Sequence, residues 1–231
     1  MISIKELKEF YFKWRYNLRN TSFITYTLLG IMVFIYLFGL ITNTSYDLIM
    51  NGAMINGYVQ IGEWWRFITP IFLHLSFLHI LMNGITLYYL GTQLEEILGH
   101  TRFLAVFLIA GIFGNFASFG FSNYPSAGAS TALFGLFGVY LMLGESFRDT
   151  ILSRIAGNVL LLIVINVVFD LMSPDIDLYG HIGGLIGGFL SAYLIGIPMS
   201  SNRIPWLKRI ISLIILVIFA FLCLKMGYAA N

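Results

Sequence analysis

Long apolar runs separated by short polar clusters set the pattern of this chain. Apolar windows of about 17–25 residues read as helices that cross a bilayer. Seven such windows occur, near residues 23–42, 68–91, 103–121, 129–145, 151–171, 179–197 and 206–226. No fixed-period repeat and no low-complexity tract interrupts them. The pattern predicts an all-α polytopic membrane protein built as one helical bundle. Ahead of the first window, residues 1–22 place Ile4, Leu7, Tyr11, Trp14 and Leu18 at helical spacing, with basic residues between them. Such a segment is expected to lie on the inner membrane face as an amphipathic anchor. The connection over residues 43–67 is long and holds Tyr58, Trp64 and Trp65. These side chains suit the membrane–water interface, and a loop of this length is expected to be functional or partly embedded.

Composition sharpens the picture. The 231 residues are 58% hydrophobic and only 10% charged, whereas soluble domains carry roughly 25% charge. A net charge of +2 is too small to point to nucleic acid. Cys223 is the single cysteine, so no intrachain disulfide can form, and it reads as a small hydrophobe facing lipid or a neighbouring helix. The first window is too long for the core of a signal peptide and no A-x-A-like site follows it, so it is expected to be retained.

Basic residues orient the windows. Lys5, Lys8, Lys13, Arg15, Arg19, Arg102, Arg148, Arg154, Arg203, Lys208 and Arg209 fall on one side; only Arg66 and Lys225 fall on the other. The N-terminus is therefore expected in the cytoplasm and the C-terminus outside. The lack of an Arg/Ser-rich transit-like stretch favours a bacterial-type plasma membrane.

Polar residues inside the windows carry the candidate chemistry. Thr69-Pro70 looks like a cap and first helical residue for the second window. His79 and Asn83 then share a helix face, while His74, five before His79, points elsewhere. The fourth window is short: Ser130 to Glu145 covers 16 residues, about 24 Å of helix against a hydrocarbon core of about 30 Å. Ser130 is thus expected at a recessed helix start beside a water-accessible pocket that opens outward. In the sixth window His181, Gly184 and Gly188 line one face, and the small residues allow close helix packing. Histidine is the usual base that activates a serine hydroxyl. Asn83, His79 and the Ser130 backbone N–H supply donors for an oxyanion. Together these are the minimum for acyl transfer.

These residues resemble a known family. GEWWRFITPIFLHLSFLHILMN (62–83), GASTALFG (128–135) and HIGGLIGG (181–188) look like the three signature regions of the rhomboid intramembrane serine proteases. The resemblance covers about residues 52–197. It implies a six-helix catalytic core over 23–197, with residues 198–231 forming a cytoplasmic linker and a seventh helix in a 6+1 arrangement. It also implies cleavage of transmembrane substrate proteins within the lipid bilayer, with no cofactor and no metal. By motif position Ser130 corresponds to the nucleophile and His181 to the base, with His79 and Asn83 in the oxyanion hole. His74 matches a histidine near the active-site water, Trp65-Arg66 a pair that braces the first loop, and Glu95 a structural acid. The family's usual GxSG reads here Gly128-Ala129-Ser130-Thr131, and Thr131 is expected to narrow the pocket or alter substrate preference. Phe134 stands where Tyr is common and is expected to pack on the His181 ring.

Three other readings compete with the dyad. A metal site of His74, His79 and His181 is disfavoured because the spacing of five separates two of the rings and no carboxylate is placed beside them. A catalytically silent relative that binds membrane clients has Thr131 in its favour and the intact Ser130 and His181 against it. A small-solute transporter lacks an inverted repeat. Asp170, Asp175 and Asp177 read as solvated loop charges, Ser126 as a structural residue, and Asn115, Asn158 and Asn166 as hydrogen bonders between helices.

Overall fold

The computed structural model describes residues 21–173, 176–198 and 204–230. The expected amphipathic anchor lies almost wholly outside them. Helix α1 spans Phe23–Thr42, followed by the short loop helices α2, Ser45–Gly52, and α3, Asn56–Gln60. Two 3-10 turns, Trp64–Phe67 and Thr69–Phe72, lead to α4, Phe77–Leu98. Then come α5 His100–Phe121, α6 Ser130–Ser146, α7 Ile151–Met172, α8 Leu178–Ile195 and α9 Trp206–Ala229.

Five of these helices are long and apolar enough to cross a membrane: α1, α5, α7, α8 and α9. Helix α6 is a shorter apolar helix of 17 residues. Helix α4 has the length but carries His79, Asn83, Gln93, Glu95 and Glu96. Large apolar side chains such as Phe34, Leu161 and Phe221, on α1, α7 and α9, lie more than half exposed. Apolar surface on that scale needs lipid in place of water. The chain is an integral, multi-pass, all-helical membrane protein.

The second window departs from its expected course. Pro70 opens only the 3-10 turn Thr69–Phe72, after which Leu73 is extended. The true cap is Ser76, whose Oγ accepts from His79 N at 3.2 Å. Pro is favourable at the start of any turn, but only Ser76 also satisfies an orphan N–H of the following helix. The helix then runs past the expected end to Leu98, where Gly99 at φ 78° stops it.

Helix α6 is the central post: every residue from Thr131 to Gly144 except Leu141 is buried. Helices α5 and α8 clasp it most closely, and glycines allow the approach. A Cβ on Gly135 would lie 2.1 Å from Ala110 Cβ, and one on Gly188 would lie 2.0 Å from Gly135 O. Helix α9 packs on α5 and α8, with the backbone of Cys223 against Gly120, so Cys223 faces a helix and is fully buried. Helix α1 leans on α4, and α7 chiefly on α6.

Two polar braces hold the periphery. Arg66, 1% exposed, donates to Ala53 O at 2.6 Å, Met50 O at 2.8 Å and Glu63 Oε2 at 2.7 Å. Its guanidinium also lies 4.5 Å from the centre of the Tyr58 ring. Trp65 Nε1 donates to Asn51 O at 3.0 Å. At the other end of α4, buried Glu95 accepts from Ile24 N at 2.8 Å and Thr25 N at 2.7 Å, and also pairs with His100. A carboxylate on the free N–H groups of α1 matches the positive end of the helix dipole.

Of the asparagines expected to bond between elements, Asn115 Nδ2 donates to Phe67 O at 2.9 Å, tying α5 to the first loop. Asn166 turns back onto its own helix, donating to Leu162 O at 2.8 Å, and Asn158 is exposed. On α7, which has neighbours along only one flank, these two side chains have no facing helix to reach.

Candidate active site

A cavity of about 670 Å³ opens between α4, α6, α7 and the start of α8. Ser130, His181, His79 and Asn83 all line it. The four residues come from three separate helices and line one cavity.

Ser130 opens α6. The strip before it is pinned on two sides. Ser126 and Met54 exchange backbone hydrogen bonds at 2.8 and 3.0 Å, and Gly128 N donates to Pro70 O at 2.9 Å. Gly128 sits at φ +140°, and a Cβ there would lie 2.7 Å from His79 Nε2 and 3.5 Å from Asn83 Nδ2. Only glycine combines that backbone conformation with so close an approach. Asn83 Nδ2 is buried with no partner. An unpaired buried donor costs about 1–3 kcal/mol, and an oxyanion placed in the cavity would satisfy it.

His74 is not directed away from His79. Their rings meet edge to face with centroids 5.1 Å apart. A spacing of five separates two rings only on a continuous helix, whereas His74 lies before the Ser76 cap. It is buried, and neither ring nitrogen has a partner.

His181 lies in the first turn of α8, which Asp177 caps by accepting from Gly180 N at 3.0 Å. Phe134 stacks on the imidazole, with centroids 4.1 Å apart and planes 11° from parallel. Gly184 lets α8 press on the Thr131 backbone, and Gly188 on that of Gly135. Thr131 itself does not line the cavity. It is 2% exposed, and a Cβ on Gly114 or Gly180 would lie 2.6 or 3.1 Å from its side-chain atoms. The expected narrowing of the pocket is therefore not seen: the extra side chain fills a notch between α5 and α8. Trp65, Arg66 and Glu95 are also outside the cavity wall, at the braces already described.

The residue that sequence reasoning misplaced is Asp170. It is 7% exposed rather than solvated, and its Oδ2 stands 2.6 Å from His181 Nδ1. Asp177 is a helix cap, and Asp175 falls outside the described residues. The signal for Asp170 was its place inside the apolar window 151–171, where an ionisable side chain normally needs a partner. Beside an ionised carboxylate, which only accepts, Nδ1 would carry the proton and Nε2 would be the nitrogen left free to take one.

A multi-pass helical bundle with serine, histidine and an unpaired asparagine donor around one cavity defines a narrow class of membrane protein. The comparisons with known proteins agree: the family model of the rhomboid domain matches residues 61–198, more than half of the chain. The chain belongs to the rhomboid family. It is 42% identical over 202 residues to Rhomboid protease GluP of Bacillus subtilis (strain 168), covering 85% of this chain and 39% of that protein. It is 37% identical over 162 residues to Rhomboid-like protease 2 of Toxoplasma gondii, covering 69% of this chain and 56% of the relative. With RHOMBOID-like protein 7 of Arabidopsis thaliana the identity is 36% over 135 residues, covering 57% and 42%. The chain thus spans well under two thirds of the length of each of these three relatives.

Proposed function

We propose that this protein is an intramembrane serine endopeptidase that cleaves transmembrane proteins with a Ser130–His181 dyad. The observation that carries the reading is the shared cavity, which is lined by Ser130 at the start of α6, His181 at the start of α8 and Asn83 with its unpaired Nδ2. Ser130 Oγ attacks the scissile carbonyl while His181 Nε2 takes its proton. Asn83, His79 and the Ser130 N–H receive the oxyanion. The imidazolium then protonates the leaving amine, and a water molecule hydrolyses the acyl-enzyme by the same route in reverse. His74, buried and unpartnered beside His79, is suited to hold that water.

The cavity lies between α4 and α7, so a substrate helix arriving from lipid reaches Ser130 there. Its scissile segment has to unwind, because helical peptide bonds are hidden. The seven long helices are read as a six-helix core plus one, with the N-terminus cytoplasmic, the C-terminus outside and the cavity near the outer face. The test is labelling by a fluorophosphonate probe together with cleavage of a reporter membrane substrate. Both are expected in the parent protein and lost in Ser130→Ala and His181→Ala. Labelling or cleavage that persists in either variant overturns the dyad.

A further inference from the structure

The geometry points to a third member of the site: Asp170, at the end of α7, is a positioning residue that fixes the tautomer and orientation of the His181 ring. The inference rests on the dyad reading. Asp170 Oδ2 and His181 Nδ1 are 2.6 Å apart. Both side chains are nearly inaccessible, at 5% and 9% exposure, which limits competition from water for the contact. Phe134 holds the ring by its face and the carboxylate holds it by one edge. Free rotation about either side-chain bond of His181 would break one contact or the other.

The carboxylate has no other evident duty. The Asp170 side chain accepts from no helix-cap N–H and makes no second ion pair among the described residues. The backbone turn at the end of α7, from Ser173 N to Asp170 O, does not use the side chain. A buried carboxylate is costly without a partner, and here the partner is the proposed base. Asp170 also comes from a helix that leans chiefly on α6 and packs little on α8. The pair is thus a specific polar link between α7 and the start of α8.

The proton balance is simple. In the resting site Nδ1–H donates to Asp170, leaving the Nε2 lone pair for the Ser130 hydroxyl proton. Once Nε2 has taken that proton, the ring is a cation with both nitrogens bearing hydrogen, and the carboxylate stabilises it through the unchanged Nδ1 contact. The proton on Nε2 leaves to the amine of the broken peptide bond. Asp170 itself neither gains nor loses a proton, as in hydrolase triads on other folds.

The experiment compares the parent with Asp170→Asn and Asp170→Glu in proteoliposomes, using initial cleavage rates and the rate of fluorophosphonate labelling. Asp170→Asn is expected to lower kcat by about 100-fold or more with KM within about twofold. Asp170→Glu is expected to recover part of that loss, and the thermal midpoint of the Asn variant is expected to stay near the parent's. In 15N spectra of imidazole-labelled protein, His181, assigned by its loss in His181→Gln, is expected as the Nδ1–H form in the parent and to lose that preference in Asp170→Asn. A kcat for Asp170→Asn within about threefold of the parent overturns the inference and leaves the dyad standing. So does a parent spectrum with the proton on Nε2, a readout that does not depend on how the Asp170 variants fold. Labelling that survives His181→Ala would instead remove the dyad.

Discussion

Gly184 on α8 faces the backbone of Thr131 on α6 so closely that a Cβ on it would lie 1.9 Å from the Thr131 carbonyl oxygen. Thr131 follows Ser130 directly, and Gly184 is one helical turn beyond His181. The separation of the two helix starts is therefore set by a backbone contact rather than by adaptable side chains. Gly184→Ala must move α8 away from α6. A misplacement of about 1 Å at reacting groups costs about 100-fold in rate, and overpacking costs about 1–3 kcal/mol. Cleavage kinetics and thermal unfolding of Gly184→Ala should show both losses. Gly187→Ala, which meets the Phe113 side chain at 2.6 Å, should lose far less activity. Equal activity of the Gly184 variant and the parent would refute the backbone-contact account.

Thr131→Gly tests whether the departure from the usual motif obstructs the site. The side chain fills the notch between Gly114 and Gly180 and lies outside the cavity. Its removal should leave cleavage within about threefold while lowering stability by about 1–3 kcal/mol, from the lost packing and the greater freedom of glycine. A large gain in rate on a bulky substrate would show that the pocket is narrowed after all.

Phe134 should tolerate Tyr and not Leu. The stack on His181 has near-parallel planes with centroids 4.1 Å apart, and aromatic pairs contribute about 0.5–1.5 kcal/mol beyond area. Phe134→Tyr keeps the stack. Phe134→Leu should lower kcat by up to about tenfold, with little change in KM. A Leu variant with full kcat would assign ring orientation to other contacts alone.

Arg66→Lys should destabilise the protein even though the charge is kept. Arg66 donates to Ala53 O, Met50 O and Glu63 at once, and an ammonium cannot reproduce that fork. Each buried acceptor left unpaired costs about 1–3 kcal/mol. Trp65→Phe removes one hydrogen bond from a half-exposed ring, and its cost should stay near 1 kcal/mol. Thermal unfolding that ranks the two variants the other way round would mean that the loop is held by its aromatic face and not by its buried cation.

Much of the bundle was legible because lipid and helix geometry impose long, countable apolar runs. Ser130 was legible because the window that it opens is short, and His181 because glycines mark one face of its helix. The second window misled because Pro70 signals a start without saying how far it goes. The hydroxyl of Ser76, three residues before His79, decides the boundary. That break also turned His74 back against His79, which residue spacing on a continuous helix forbids. The side that Thr131 faces was not legible because adjacent helical residues differ by about 100° in direction, and only the positions of α5 and α8 show which side is wall and which is notch. Asp170 was visible as a charge inside an apolar window, but its partner lies on another helix and no spacing rule connects them.

Gln60, in the first loop, donates from Nε2 to the carbonyls of Gly227 at 2.8 Å and Ala230 at 3.1 Å, at the far end of α9. These are carbonyls that a helix terminus leaves without internal partners, and they lie 167 and 170 positions further along the chain. A ribosome delivers them long after the loop has been made. The loop's anchor on α9 is thus absent until α9 itself has been made. Order of synthesis and order of completion run in opposite directions here, so the earliest loop of the bundle is among the last parts to be locked.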